Sequence, residues 1–338
     1  PNEPIIVQEE ALLDVALHPI YALGAQQLLA GGGTVVADEL RISNDSRVEP
    51  GDGVGVLSII GAVVLDGVSP VGFGGLHFQL PGDPLAPGDQ IDVTGDLTIN
   101  GLHQVQITPV DNVLAPGDYP LITYSGALNP AGGTLQPVHT TRLNLTLDTT
   151  VPGVVVLGVG GASADLIWRG NVDSNWNINN TPNWTGGSNV FFDLDGVRFD
   201  DTADRFDVDV AVDVRPGEIR FENQVQAYQV GGPASIRGQA PLWITGGAGV
   251  AFTGSHEFST IDVAAGPLEV DLGGVLAAAG ATLVGSGGEL RLDGGQLATS
   301  QLDVAGGGRL TGAGRIVGNT VIGDGTAEAA LFSPGFTP

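Results

Sequence analysis

The sequence predicts an all-β protein built as a right-handed parallel β-helix, or β-solenoid. From Gly31 onward, apolar residues alternate with polar residues in short runs, which is the period of a β-strand. Turn pairs of proline and glycine separate these runs, and the chain contains 54 Gly and 21 Pro. Leu272 and Leu292 are 20 residues apart, as are Val284 and Val304, which is a typical length for one coil of a solenoid.

Residues 1–30 form an N-terminal segment of their own. Between Glu9 and Ala30 apolar residues recur near a helical period, but Pro19 interrupts them, so either a short helix or short strands would fit. The apolar residues Ile5, Ile6 and Val7 precede this stretch. They are a candidate assembly strand that could add to a sheet edge of a neighbouring molecule.

Two larger regions follow. Residues 31–164 are rich in β patterns, with more proline and longer loops, and predict either the end of a β-helix or a β-sandwich-like portion. A patch of small residues at 158–165 marks the boundary. Residues 165–338 predict a β-helical repeat region that begins with a stretch rich in Trp and Asn.

The composition excludes several classes of function. The chain has 38 acidic residues against 12 cationic ones, all of them Arg, for a net charge of −26. Such a surface repels nucleic acid and anionic lipid, favours solubility and attracts divalent cations. The absence of Cys excludes disulfides, zinc–thiolate sites and cysteine nucleophiles. No apolar run is long enough for a membrane-spanning helix, so we expect no membrane insertion.

A family resemblance begins at the Trp-rich stretch. Leu166–Gly170 contains a Trp-x-Gly step, Asn175–Trp176 and Asn183–Trp184 are Asn-Trp pairs, and Val197–Ala203 contains Val-x-Phe-x-Asp. This order resembles the opening of the autotransporter-associated β-strand repeat of bacterial surface proteins. The segments that resemble later steps of that repeat are Pro50–Leu57, Gln90–Gly95, Tyr119–Gly126 and Phe332–Gly335.

The resemblance covers most of residues 31–338. It implies a secreted, β-solenoid, passenger-like module of an extracellular bacterial protein, and it implies no catalytic residues. We therefore expect an extracellular or cell-surface location.

The end of the sequence restarts the pattern of its beginning. Gly306–Gly308, followed by alternating residues and then Ser333–Gly335, parallels Gly31–Gly33, followed by alternating residues and then Glu49–Gly51. An open solenoid end is a template for pairing with another chain. We therefore expect head-to-tail contact with copies of this chain or with adjoining repeats, giving a fibre if the rotation does not close.

An acidic stretch offers a candidate calcium site, because calcium takes six to eight oxygen ligands. The competing interpretation is a solvated strand face, since Asp207, Asp209 and Asp213 alternate with valines. No other cofactor is expected. The candidate ligands are Asp193, Asp195, Asp200, Asp201 and Asp204.

The Trp/Asn-rich stretch supports an alternative function. Trp168, Trp176 and Trp184 could stack on sugar rings while Asn amides bond hydroxyl groups, which would make the chain an adhesin or glycan-binding module. The competing interpretation, which the resemblance favours, is that these rings cap the β-stack and that Asn satisfies tight turns.

A third alternative is a β-helix polysaccharide lyase or hydrolase. A retaining glycosidase needs two carboxyl groups about 5 Å apart, but the glutamates of this region are scattered along the sequence. Each of the five His stands alone, without the spacing of a metal-binding helix. We therefore predict no enzyme activity and no catalytic residue. The glutamates considered are Glu218, Glu222, Glu257, Glu269 and Glu289.

Together these observations predict an extracellular structural module of a bacterial surface, matrix or filament protein.

Overall fold

The computed structural model describes residues 3–42, 45–67, 74–323, 325 and 328–335. The described residues form strands and turns, with no helix among them, so the predicted all-β class is confirmed. In this part of the chain no helix is long and apolar enough to cross a membrane.

The short helix considered within residues 1–30 does not form, and short strands do. Leu13 pairs with Val35 and Tyr21 with Leu40, so these residues join the parallel stack. The alternation needed for stacking outweighs the weak helical period, and Pro19 lies in the turn between the two strands.

The chain divides into two compact units. Unit 1 consists of Pro1–His139 and Leu143–Ala162, and unit 2 consists of Thr140–Arg142 and Ser163–Pro338. The strands of unit 1 are β1 (Ile5–Ile6), β2 (Leu12–Asp14), β3 (Tyr21–Ala22), β4 (Leu28–Gly31), β5 (Thr34–Ile42), β6 (Arg47–Pro50), β7 (Val56–Asp66), β8 (Gly75–Leu80), β9 (Gln90–Val93), β10 (Leu97–Asn100), β11 (Leu102–Pro109), β12 (Gly117–Tyr124), β13 (Leu128–Asn129), β14 (Thr134–Val138), β15 (Asn144–Asp148) and β16 (Val154–Gly160).

Unit 1 is a stack of parallel coils. Its first sheet has the order β1-β4-β6-β8-β11-β14, with parallel pairing throughout. Ile5 pairs with Leu29, Leu29 with Val48, and Val48 with Leu76, so four coils contribute one aliphatic ladder. Of the two alternatives for residues 31–164, the β-helix is therefore right and the β-sandwich is wrong.

The second sheet of unit 1 begins in the same way. Strands β2 and β3 pair with β5, and β5 pairs with β7, all in parallel. The pattern changes at its far end, where β16 runs antiparallel to both β12 and β15.

A buried carboxylate links three segments of unit 1. Asp89 is 1% exposed and accepts hydrogen bonds from the backbone N–H of Gly55 at 2.8 Å and of Gln79 at 2.7 Å. Burial raises the pKa of Asp89 to about 6, although both hydrogen bonds favour its charged form.

The strands of unit 2 are β17 (Asp165–Trp168), β18 (Asn175–Trp176), β19 (Trp184–Gly186), β20 (Gly196–Phe199), β21 (Asp207–Val210), β22 (Glu218–Phe221), β23 (Tyr228–Gly231), β24 (Leu242–Ile244), β25 (Val250–Phe252), β26 (Ser255–Phe258), β27 (Ile261–Asp271), β28 (Val275–Asp293), β29 (Gln296–Val304), β30 (Arg309–Gly312), β31 (Arg315–Ile322) and β32 (Leu331–Pro334).

Unit 2 is also a parallel solenoid. Leu166, Val197, Ile219, Leu242 and Ile261 occupy one ladder position in five successive coils. Each is buried. Full burial of an aliphatic side chain contributes roughly 1.5–3 kcal/mol, so each coil is stabilised mainly by the coils above and below it.

The predicted coil length is right at one pair and wrong at the other. Val284 pairs with Val304 as expected. Leu292 instead pairs with Val270, and Leu272 is 83% exposed. Leu272 lies beside the turn at Gly273–Gly274, which carries its side chain outside the stack.

Glycine is required where a strand bends from one face of a coil to the next. Gly61, inside β7, has a φ of +133°, and a Cβ there would lie 1.7 Å from the carbonyl oxygen of Ala37. Gly318, inside β31, has a φ of +138°, and a Cβ there would lie 1.9 Å from the carbonyl oxygen of Thr299. The same solution appears in both units.

Candidate functional site

The last coil of unit 2 leaves strand edges unpaired. Among the described residues, β31 pairs only with β29 and β32 only with β30. In β29 the inward residues Leu297, Leu302 and Val304 are buried. Their ladder partners in β31 are Ile316, Thr320 and Ile322, of which Ile316 is half-buried and the other two are exposed.

The same coil exposes an aromatic ring in line with the core. Phe332 pairs with Leu310, which is 3% exposed, yet Phe332 itself is 54% exposed. Along a different set of strands, Leu283 of β28 and Val321 of β31 line an apolar groove of about 470 Å³. Exposed apolar side chains and free strand edges are features that favour pairing with another chain.

The first coil of unit 1 has the corresponding free edges. Within the described residues, β1 pairs only with β4, and β2 and β3 pair only with β5. Exposed apolar residues also occur here, including Ile6 and Leu12.

The predicted assembly residues lie in this first coil, but not as a free arm. Ile5 and Ile6 pair with Leu29 and Ala30, and Val7 is 4% exposed and donates its N–H to the carbonyl of Ala30. They stay a candidate assembly strand, now placed within the first coil of their own chain. These residues already complete the first coil, and what they offer to a neighbour is its outer edge.

The two coils differ in charge. The first coil, residues 3–30, contains four acidic residues and no arginine. The last coil contains Arg315, which is exposed and forms no ion pair with any residue in the part of the chain that the structure describes. Arg315 therefore places an unpaired positive charge in this coil.

The restart seen in the sequence has a structural counterpart. Gly31 forms an antiparallel bridge with Gly51, and Gly312 forms the same bridge with Gly335. Pro50–Gly51 and Pro334–Gly335 therefore occupy equivalent places. The glycine triplets do not, because the equivalent of Gly31–Gly33 is residues 312–314, six positions after the predicted Gly306–Gly308.

The three tryptophans considered for glycan binding are buried. Trp168 and Trp176 are 0% exposed and Trp184 is 3% exposed. Trp176 contacts Trp184, Phe191 and Phe199 with ring centroids 5.3–5.7 Å apart. No ring face is open to a sugar, so these residues do not form a glycan site. They close the first coils of unit 2.

The asparagines nearby satisfy turns. Asn183 is 0% exposed. Its Oδ1 accepts from the N–H of Val172 and of Asp173, and its Nδ2 donates to Asp173 and to the carbonyl of Asn175. Every polar atom of this amide is used inside the protein, which leaves nothing for a hydroxyl ligand.

Two of the five candidate calcium ligands are buried and occupied. Asp195 is 0% exposed, pairs with Nε of Arg142 at 2.6 Å and with its Nη2 at 2.7 Å, and accepts from the N–H of Ala164 and Phe192. Asp193 accepts from the Thr140 hydroxyl and the Arg215 N–H. Burial raises the pKa of Asp193.

The other three candidate ligands do not form one site with Asp193 and Asp195. Asp200 accepts from the N–H of Thr202, Asp201 accepts from two N–H groups of the next coil, and Asp204 is exposed. Those two hydrogen bonds lower the pKa of Asp201. Among the described residues the acidic groups at metal-binding spacing are Glu269, Asp271 and Asp293, and Arg291 lies against that group. The predicted set is therefore not a calcium site.

The glutamates considered for catalysis each pair with an arginine. These contacts join neighbouring residues of one strand or neighbouring coils. The last three pairs could have been predicted from the sequence, because their members are 20–22 residues apart, about one coil length. The pairs are Glu218–Arg220, Glu222–Arg198, Glu257–Arg237, Glu269–Arg291 and Glu289–Arg309.

A groove on the flank of unit 2 shows the same pairing. It has a volume of about 380 Å³ and is lined by Asp165, Glu218 and Glu222 together with Arg198 and Arg220. The Arg220 guanidinium also lies 4.2 Å from the ring centroid of Trp243.

No protein-family profile, curated protein or solved structure matches this chain.

Proposed function

We propose that this chain is a structural module of an extracellular bacterial surface, matrix or filament protein, and that it assembles head-to-tail through its coil ends. The observation that carries the proposal is the last coil of unit 2. Its strands are unpaired on one side, and ladder residues such as Phe332 and Ile322 stay exposed there although their partners Leu310 and Val304 are buried.

The physical reason is the cost of leaving such an end in water. Unpaired edge strands template the addition of another strand, and burying exposed apolar area contributes roughly 25 cal/mol per Å². A further coil would satisfy both needs. The first coil of unit 1 has free edges of the same kind, so a second copy, or an adjoining repeat built in the same way, can supply that coil.

Three further features support a structural role outside the cell. The buried rings and paired carboxylates serve the stack itself. The absence of Cys makes the fold independent of the redox state of its surroundings. The resemblance to autotransporter-associated repeats favours secretion and a cell-surface location.

Assembly is tested with the purified full chain. We expect polymers in negative-stain micrographs and a sedimentation coefficient that rises with protein concentration. Phe332→Asp should abolish both, because it places a charge in the contact. Leu272→Asp is the matched control, since Leu272 is exposed on the flank and the same change there should leave polymers intact. A wild-type chain that stays monomeric at all concentrations would refute the proposal.

Location is tested separately in the source organism. An antibody against the chain should label intact cells, and added protease should remove that label without lysis. Labelling only after permeabilisation would contradict an extracellular role.

A further inference from the structure

We infer the register in which a second copy docks: β32 receives β1, and the two halves of β31 receive β2 and β3. This inference rests on the proposed head-to-tail assembly and names its partner surface. It follows from an equivalence between the last coil of unit 2 and an inner coil of unit 1, whose own neighbours are known.

The equivalence is set by the bridges at the coil corners. Gly31–Gly51 and Gly312–Gly335 form the same antiparallel bridge. Strand β30 therefore corresponds to β4, and β32 corresponds to β6. Between them, β31 and β5 both bend midway, at Gly318 and between Val36 and Glu39. Each residue of β30, β31 and β32 can therefore be matched to one residue of β4, β5 and β6.

The residues of the first coil of unit 1 have known pairing partners in the next coils of that unit. Ile5 shares its ladder with Leu29 and Val48. Since Val48 corresponds to Phe332, a docked copy in continuous phase places its Ile5 on Phe332. Both side chains lie in the line of the core, and each is incompletely buried in the single chain.

The other two faces give matching pairs. Leu13 pairs with Val35, which corresponds to Ile316, so Leu13 of the second copy stacks on Ile316. Tyr21 pairs with Leu40, which corresponds to Thr320, so the next inward position, Leu23, stacks on Ile322. The Ile5 and Leu13 positions, which are only half-buried in the single chain, can therefore both close in this register, whereas Leu23 is already 2% exposed before docking.

The outward positions agree with this register electrostatically. Arg315 lies opposite Leu12 of the second copy, and Val317 lies opposite Asp14. Asp14 is then two residues along the strand on the same face as Arg315, roughly 8 Å away between Cα atoms and within reach of its side chain. The unpaired cation of the last coil meets the acidic first coil, which has no cation of its own.

Because the chain has no Cys, introduced cysteines report the register directly. We would prepare four single variants at exposed positions: Arg315→Cys, Val317→Cys, Leu12→Cys and Asp14→Cys. Each variant of the last coil is mixed with each variant of the first coil under mild oxidation. Covalent dimers are then quantified on non-reducing gels.

Two mixtures are in register and two are not. Arg315→Cys with Leu12→Cys, and Val317→Cys with Asp14→Cys, bring Cα atoms to about 5 Å, which suits a disulfide. The exchanged mixtures separate them by about 8 Å, so we expect roughly tenfold less cross-linking there. The same four proteins serve as their own controls.

The outcomes separate the two claims. Polymers that cross-link mainly in the exchanged mixtures, or equally in all four, overturn the register but leave head-to-tail assembly intact. Cross-linking of a single variant with itself shows that like ends meet, which overturns both. A wild-type chain that forms no polymer overturns the proposed function and the register with it.

Discussion

The first and last coils of unit 2 differ in whether their interior side chains are covered. A solenoid must either cover its terminal cross-section or leave it for another coil. At the start, rings fill the interior, and Trp168 and Trp176 are fully buried. At the end, Phe332 and Ile322 occupy ladder positions without a cover.

The charged groups follow the same division. In the first coils, Asp195 is completely enclosed and is bonded by Arg142 and two backbone N–H groups. In the last coil, Arg315 has no ion-pair partner in the described part of the chain. The two coils therefore differ in how far their interiors are covered, while the ladders between them stay alike.

Removing a ring from the covered end should have the largest effect. We expect Trp176→Ala to lower the free energy of unfolding by about 3–5 kcal/mol, because it leaves a cavity among three neighbouring rings. Urea denaturation measures this loss. Trp243→Ala is the control, and its half-exposed ring should cost about 1 kcal/mol. Equal losses of unfolding free energy for Trp176→Ala and Trp243→Ala would contradict the structural role assigned to the buried rings.

Neutralising the enclosed carboxylate should come next. We expect Asp195→Asn to cost about 3 kcal/mol, because Arg142 loses its charged partner. The same change at the exposed Asp204 should cost less than about 0.5 kcal/mol. We expect added calcium to leave the melting temperature unchanged in wild type and in both variants. A calcium-dependent increase in wild type that Asp195→Asn abolishes would contradict the structural role assigned to Asp195.

The stability of the folded protein should depend on pH through His256, which lies between the first and last coils of unit 2. This side chain is 0% exposed, its Nδ1 accepts from the N–H of Ile236, and burial lowers its pKa below the usual 6.5. Below pH 6.5 the unfolded chain binds a proton that the native imidazole does not, so native stability falls as pH falls.

The test compares wild type with His256→Asn, whose amide oxygen can still accept from Ile236. Between pH 7.5 and pH 5.5 the stability advantage of wild type should shrink by about 1 kcal/mol. An advantage that is constant with pH would mean that His256 titrates normally in the folded protein.

Truncating the uncovered ring should have the smallest effect on a single chain. We expect Phe332→Ala to change the free energy of unfolding by less than about 0.5 kcal/mol in dilute solution, because half of the ring is already in water. The same variant should raise the concentration needed for polymers. A loss near that of Trp176→Ala would show that the last coil is covered within the chain.

Much of the fold could be predicted from the sequence because a solenoid repeats. Alternating residues gave the strands, and the spacing of Val284 and Val304 gave the coil length. The same rule failed at Leu272, since spacing alone does not distinguish an inward position from one beside a corner turn. A β-sandwich could not be excluded for the first half because both folds use period-two strands.

The site was harder to predict because its chemistry depends on contacts far apart in sequence. Arg142 reaches Asp195 across 53 residues, and Thr140–Arg142 belong to unit 2 although their sequence neighbours do not. Nothing local marks Asp195 as enclosed or Trp176 as buried. The Pro-Gly restart was visible, but its phase required the bridges at Gly51 and Gly335.

The coil-by-coil pairing in unit 2 has a mechanical consequence. A pull on the C-terminal strand loads the hydrogen bonds of one coil before those of the next, since β32 is held only by β30 among the described residues. The coils should therefore peel in sequence. With about 20 residues per coil, each release would lengthen the tether by roughly 65 Å, and a second copy seated on the last coil would have to be torn away first.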